Sequence, residues 1–170
     1  MRSLTQPRET FENDLATSIS GYGGYQIAND RSKTDRRLRE FLSDKLKQIE
    51  RDLSLFGLKI HQYKNNAFFE PFDRIALSLK VLIQSLENPS YMQAAFFSQK
   101  SVNPFKLPRL YEQEMQLVNQ VEILVDEVRN LDTITDEYEI EDILNYLFDL
   151  IDGVNQTMSE REFLILGGVE

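Results

Sequence analysis

A chain of 170 residues with a net charge of −9, 41% hydrophobic residues and no cysteine is large and apolar enough to bury one core. It has no thiol for a disulfide, a nucleophile or a Cys-ligated zinc, in keeping with a reducing compartment. Residues 1–85 carry 14 Lys/Arg against 11 Asp/Glu and residues 86–170 carry 5 against 17, so the halves either pair internally or meet different partners, and nucleic-acid binding by the whole surface is disfavoured.

The first nine residues contain no apolar core of a secretory signal, and no apolar run approaches the roughly 20 residues of a membrane span. The expectation is a cytoplasmic protein with no transmembrane segment. Residues 1–33 read as a flexible N-terminal arm preceding a helical domain over 34–170. Within the arm, Thr10 to Ile19 predicts a short helix with Phe11, Leu15 and Ile19 on one side, stopped by Gly21. Gly21-Tyr22-Gly23-Gly24-Tyr25 reads as a pliable connector bearing two tyrosines.

Four long helices are expected, over about 34–63, 71–87, 108–132 and 136–156. In the first, Leu38, Leu42, Leu46, Ile49, Leu53, Phe56 and Ile60 recur at steps of four and three, a seam suited to bundle packing, with Thr34 as N-cap. Pro71 opens the second, whose apolar stripe is so wide (Phe72, Ile75, Ala76, Leu77, Leu79, Val81, Leu82, Ile83, Leu86) that it reads as the central rod. Asn88-Pro89 closes it, and a short helix follows from about Pro89 to Gln99. Pro108 opens the third, with Leu110, Leu117, Val121, Leu124, Val128 and Leu131 on one face. Asp136, with Glu139 three residues later, predicts the capped start of the fourth. That helix uses Ile140, Leu144, Leu147, Ile151 and Val154, and Ser159 begins a separate final segment ending at Gly167-Gly168. The fold class expected is all-α: an antiparallel bundle of about four long helices plus short ones, with 89–107 as the longer crossing.

Little in this chain commits to a chemistry. His61 is the single histidine, which removes di-iron and His-rich zinc sites and leaves an ordinary helix-end residue. Glu139/Asp142 and Asp149/Asp152 imitate the carboxylate spacing of magnesium-dependent nucleotide hydrolases, but on one helix. Asp142, Asn145, Asp149 and Asp152 also lie opposite its apolar seam. Asp149 and Glu160 have the separation of the outer EF-hand ligands, yet Val154 stands where that loop requires glycine. No metal and no cofactor is expected.

The basic cluster Arg31, Lys33, Arg36, Arg37 and Arg39 is less easily dismissed. Cations near a helix start oppose the macrodipole, so these either dock on the acidic helix after Asp136 or face an acidic protein surface or phosphate groups. Tyr22 and Tyr25 are candidate anchors of a linear docking element, or part of a tail without a role. Phe68-Phe69 and Phe96-Phe97 either close the core or line an apolar groove.

The leading expectation is a non-enzymatic protein–protein interaction module, such as an adaptor, assembly factor or subunit of a larger complex. Its expected contacts are Tyr22, Tyr25, Arg31, Lys33, Arg36, Arg37 and Arg39. The alternatives are a Mg-dependent all-α nucleotide hydrolase using the late carboxylates, and a binder of apolar ligands or membrane surfaces. Homo-oligomerisation stays open, because the same seams serve self-association or a monomeric bundle.

Overall fold

The chain folds, in a computed structural model that describes residues 7–168, into five helices: α1 (Pro7–Ser18), α2 (Arg31–Gln62), α3 (Phe69–Glu87), α4 (Lys106–Asn130) and α5 (Glu137–Leu166). Single 3₁₀ turns occupy Ala28–Asp30, Asn66–Phe68, Ala95–Phe97 and Leu131–Thr133, and there is no strand among the described residues. This is the expected all-α bundle. None of the described helices is long and apolar enough to cross a membrane.

Helix α2 packs on α3 and α4, and α5 packs on the same two, so the four long helices form a ring with α2 and α5 on one diagonal. Their polarity follows from which ends meet. Asp35 near the start of α2 and Glu114 near the start of α4 both pair with Arg161 near the end of α5, while Arg39 reaches the carbonyl of Leu86 at the end of α3. At the other end, Lys59 of α2 donates to the carbonyls of Asp132 and Ile134 between α4 and α5, and Asn65 donates to Glu137. The helices therefore run up, down, up, down, and residues 88–105 cross the diagonal between α3 and α4.

The expected seams are the buried ones. Leu38, Leu42, Leu46, Ile49, Leu53, Phe56 and Ile60 of α2 meet Ile75, Leu79, Leu82 and Leu86 of α3, Leu110, Leu117, Val121, Leu124 and Val128 of α4, and Ile140, Leu144, Leu147, Ile151 and Val154 of α5 in one core. The start signals are off by a few residues. Pro71 and Pro108 each stand third in their helices rather than first, where the missing N–H is still one that no intrahelical partner would have met. Asp136 is the N-cap of α5, accepting from the backbone N–H of Tyr138 at 2.9 Å. Gly167, at φ +103°, ends that helix in the left-handed conformation.

Several expectations are corrected. The arm is not an arm: α1 packs on α4, and Leu15, Ile19, Tyr22 and Tyr25 belong to the common core, so residues 10–33 are part of the bundle. Residues 1–6 of the expected arm lie outside the described residues. Helix α3 is not a central rod, since Leu77 and Val81 are 64% and 53% exposed. In a ring of four, each helix hides one stripe, and α4 packs on α1 as well as on α2 and α5.

Thr34 does not cap α2, which starts three residues earlier at Arg31, and its hydroxyl instead donates to the carbonyl of Gly24 at 2.8 Å. Residues 89–99 form turns, with one 3₁₀ turn at Ala95–Phe97, rather than a helix, and the carbonyls of Phe96 and Gln99 accept from the Arg31 guanidinium. Ser159 starts nothing: it lies inside an unbroken α5 and donates to the Asn155 carbonyl.

Candidate functional site

The unusual feature of this core is a charged centre. Asp35, Glu114 and Arg161 are each at most 1% exposed, at the end of the bundle where α2, α4 and the last turns of α5 meet. The three lie on the phases of their helices' apolar seams. Glu114 fills the gap between Leu110 and Leu117, Arg161 continues the Ile151–Val154 stripe, and Asp35 precedes Leu38 by one turn. Helical geometry therefore delivers them to the interior whatever their polarity.

Arg161 donates from Nη2 to Asp35 Oδ1 at 2.7 Å and from Nε to Glu114 Oε1 at 2.8 Å. Its Nη1 donates to the Tyr91 hydroxyl at 2.8 Å. Tyr25 donates to Glu114 Oε1 at 2.7 Å, Tyr22 donates to Glu114 Oε2, and Tyr91 donates to Asp35 Oδ1 at 2.9 Å. Arg39, 11% exposed, closes the set by donating from Nε to Asp35 Oδ2 at 2.8 Å. Two carboxylates and two guanidinium groups thus balance within the site, and a buried charge is tolerable only in such company.

Burial is the largest influence on each buried acid and it raises both, but the outcomes differ. Glu114 stays above its ordinary value despite Arg161 and the two tyrosines. Asp35, against the same desolvation, is pulled below its ordinary value by Arg161 and Arg39. Burial opposes the charge on Arg161 too, yet Tyr91, Glu114, Tyr25 and Asp35 outweigh it and hold the guanidinium pKa above its usual range. Burial likewise pushes the Tyr91 phenol up to about 12 and raises those of Tyr22, Tyr25 and Tyr111 well above the ordinary value, so all four are neutral.

The tyrosines arrive by backbone geometry. Gly21 has φ +78° and Gly24 has φ +71°, and each immediately precedes a tyrosine that points inward. A Cβ on Gly24 would stand 1.9 Å from a Glu12 carboxylate oxygen and 3.0 Å from the Tyr111 hydroxyl. That hydroxyl accepts from the Tyr25 N–H at 2.8 Å, and the Tyr25 carbonyl accepts from Arg31 Nε at 2.8 Å. Glycine here supplies fixed left-handed turns, not pliability.

The residues expected to meet a partner separate into two groups. Tyr22, Tyr25 and Arg31 are buried and Arg39 nearly so, all bonded inside the fold, which corrects their assignment to an accessible docking element. Lys33, Arg36 and Arg37 are exposed, and Arg36 and Arg37 both lie against Glu40. The internal partner of the basic segment is not the stretch after Asp136. Sequence reasoning missed Asp35, Tyr91, Glu114 and Arg161; for the three charged ones the available signal was a charge in phase with the apolar seams of α2, α4 and α5, and Tyr91 in the crossing carried none.

Around this centre, Arg39 reaches a surface groove of about 380 Å³ that it shares with Arg36, Ser43, Lys47, Leu86 and Met92. Phe56, Phe68 and Phe96 are core, and Phe72 lines a second groove of about 320 Å³ with Leu53, Ala76 and Leu77. Asp142, Asn145, Asp149 and Asp152 face solvent, and Asp149 through Glu160 is continuous helix, so the loop an EF-hand needs is absent there. Among the described residues no three His, Asp or Glu side chains are grouped to hold a metal ion. His61, exposed in the last turn of α2, lies against the Phe69 ring at 4.7 Å. Comparison with protein-family models, curated proteins and solved structures finds no match to this chain.

Proposed function

We propose that this protein is a non-enzymatic interaction module, an adaptor or subunit, whose docking residues are Lys33, Arg36 and Arg37 and whose partner presents an acidic protein surface. The observation that carries the reading is their placement: three exposed cations project from the first turns of α2, where the helix macrodipole is positive and the local field opposes them. An approaching acidic protein surface relieves that opposition locally. Glu40 offsets only part of the charge, and exposed pairs of this kind contribute about 0–1 kcal/mol.

The interior supports the same reading. The charged centre satisfies its own donors and acceptors, as a structural lock does. The seams that would serve self-association are consumed within one chain. A cytoplasmic location fits a cysteine-free chain of this charge.

The test is capture with the wild-type protein and with a K33E/R36E/R37E variant, followed by purification of what is captured and calorimetric titration against both. The expected result is an acidic protein whose affinity falls at least about tenfold with the variant and weakens with salt. Equal affinity for both proteins removes this surface from consideration.

A further inference from the structure

We propose that residues 10–30 form a strap that opens as a unit while the four long helices stay folded, admitting water to Glu114 and Arg161. This goes beyond the docking reading and does not depend on it. The strap comprises α1, which packs on α4, and the connector that carries Tyr22 and Tyr25 into the charged centre. Leu15 and Ile19 are its buried aliphatic anchors, and Phe11 packs only partly against the core.

The Tyr25 ring packs on Phe96 and Tyr111, and the rest of the hold is polar. Tyr22 and Tyr25 donate to Glu114, the Tyr25 N–H donates to Tyr111, and the Gly24 carbonyl accepts from Thr34. Separating α5 from α2 or α4 would expose apolar seam and also break the Arg161 pairs with Asp35 and Glu114, pairs that stay made when the strap lifts. Lifting the strap instead returns hydration to a carboxylate and a guanidinium, groups whose burial is costly. The weakest plane in the molecule therefore runs between strap and bundle.

The ends of the strap are marked. Gly21 and Gly24, both left-handed, are the points within the strap where the backbone turns each tyrosine inward. Arg31 fixes the far end: its buried guanidinium holds the Phe96 and Gln99 carbonyls of the α3–α4 crossing, so what lies after it belongs to the bundle. The groups around Glu114 from the long helices and the crossing remain the charged Arg161 and Asp35 and the neutral Tyr91, which stay bonded to one another when the strap leaves. Contiguous segments of a native protein open sub-globally in this way, as cooperative units smaller than the whole fold.

The experiment is native-state hydrogen exchange by mass spectrometry on the full chain at rising sub-denaturing urea, with wild type and a Y22F/Y25F variant. In the wild type, peptides within residues 10–30 should exchange through an opening with a shallower urea dependence than peptides of the α2 and α4 seams. In the variant, which lacks both hydrogen bonds to a charged acceptor, strap exchange should speed up by about tenfold or more, and seam exchange should change less. Strap and seam amides that exchange through one common opening in the wild type overturn the proposal, and that measurement stands even where the variant does not fold.

Discussion

Arg161 Nη2 lies 2.7 Å from Asp35 Oδ1, across 126 positions of sequence, with both side chains sealed from solvent. That contact joins the start of α2 to the end of α5, which are diagonal in the ring. It is the chain's own evidence of how α5 is registered against the rest. A buried ion pair of this kind contributes little against an apolar replacement, but it penalises any register that leaves one partner alone.

Arg161→Met should therefore cost about 3–5 kcal/mol, the usual result of stranding buried charge. Adding Asp35→Asn and Glu114→Gln to that variant removes the stranded negative charges, and part of the loss should return. Urea denaturation followed by circular dichroism measures both steps. A triple variant no more stable than the single one would show that hydrogen-bond geometry, not charge, dominates the site.

The two buried acids should give the stability curve opposite slopes. Asp35 has its folded pKa lowered, so its contribution is complete above the ordinary carboxylate range and is lost as pH falls through the folded value. Glu114 has its folded pKa raised, so its contribution is complete below the ordinary value and is lost as pH rises through the folded one. Asp35→Asn should flatten the acid limb, and Glu114→Gln should flatten the decline on the higher side. Unfolding free energies from about pH 3 to about pH 8 check this, and the same change of slope in both variants would contradict it.

Two helical glycines should respond to alanine with opposite signs. A Cβ on Gly57 would stand 2.7 Å from Phe72 Cζ, so Gly57→Ala should destabilise by about 1–3 kcal/mol although the helix favours alanine by about 1 kcal/mol. Gly153 in α5 meets nothing closer than Gln120 Nε2 at 3.6 Å, and Gly153→Ala should stabilise by up to about 1 kcal/mol. Shortening Phe72 to leucine in the Gly57→Ala background should recover much of the loss. Thermal denaturation of the four proteins is sufficient.

The long helices were legible because Leu38 through Ile60, Leu110 through Val128 and Ile140 through Val154 repeat at helical spacing, and burial follows that phase in the structure. Exposure of Asp142, Asn145, Asp149 and Asp152 followed from the same argument. Reading every apolar residue as buried failed at α3, because Leu77 and Val81 lie off the phase that Ile75, Leu79 and Leu82 define. The glycine-rich connector departs from expectation for a different reason. Its composition permits many backbone states, and the one adopted is selected by Glu114, ninety residues away in sequence.

What the sequence determined by itself was the number of long helices, their seams and the Asp136 start of α5, since those depend on neighbours within a turn or two. What only the tertiary structure decided was the fate of its charges. Helical phase sends Asp35, Glu114 and Arg161 inward, but whether an inward charge is a defect, a site or a lock depends on what stands opposite. Here the opposites come from four separate stretches of chain, and only folding brings them within hydrogen-bonding distance.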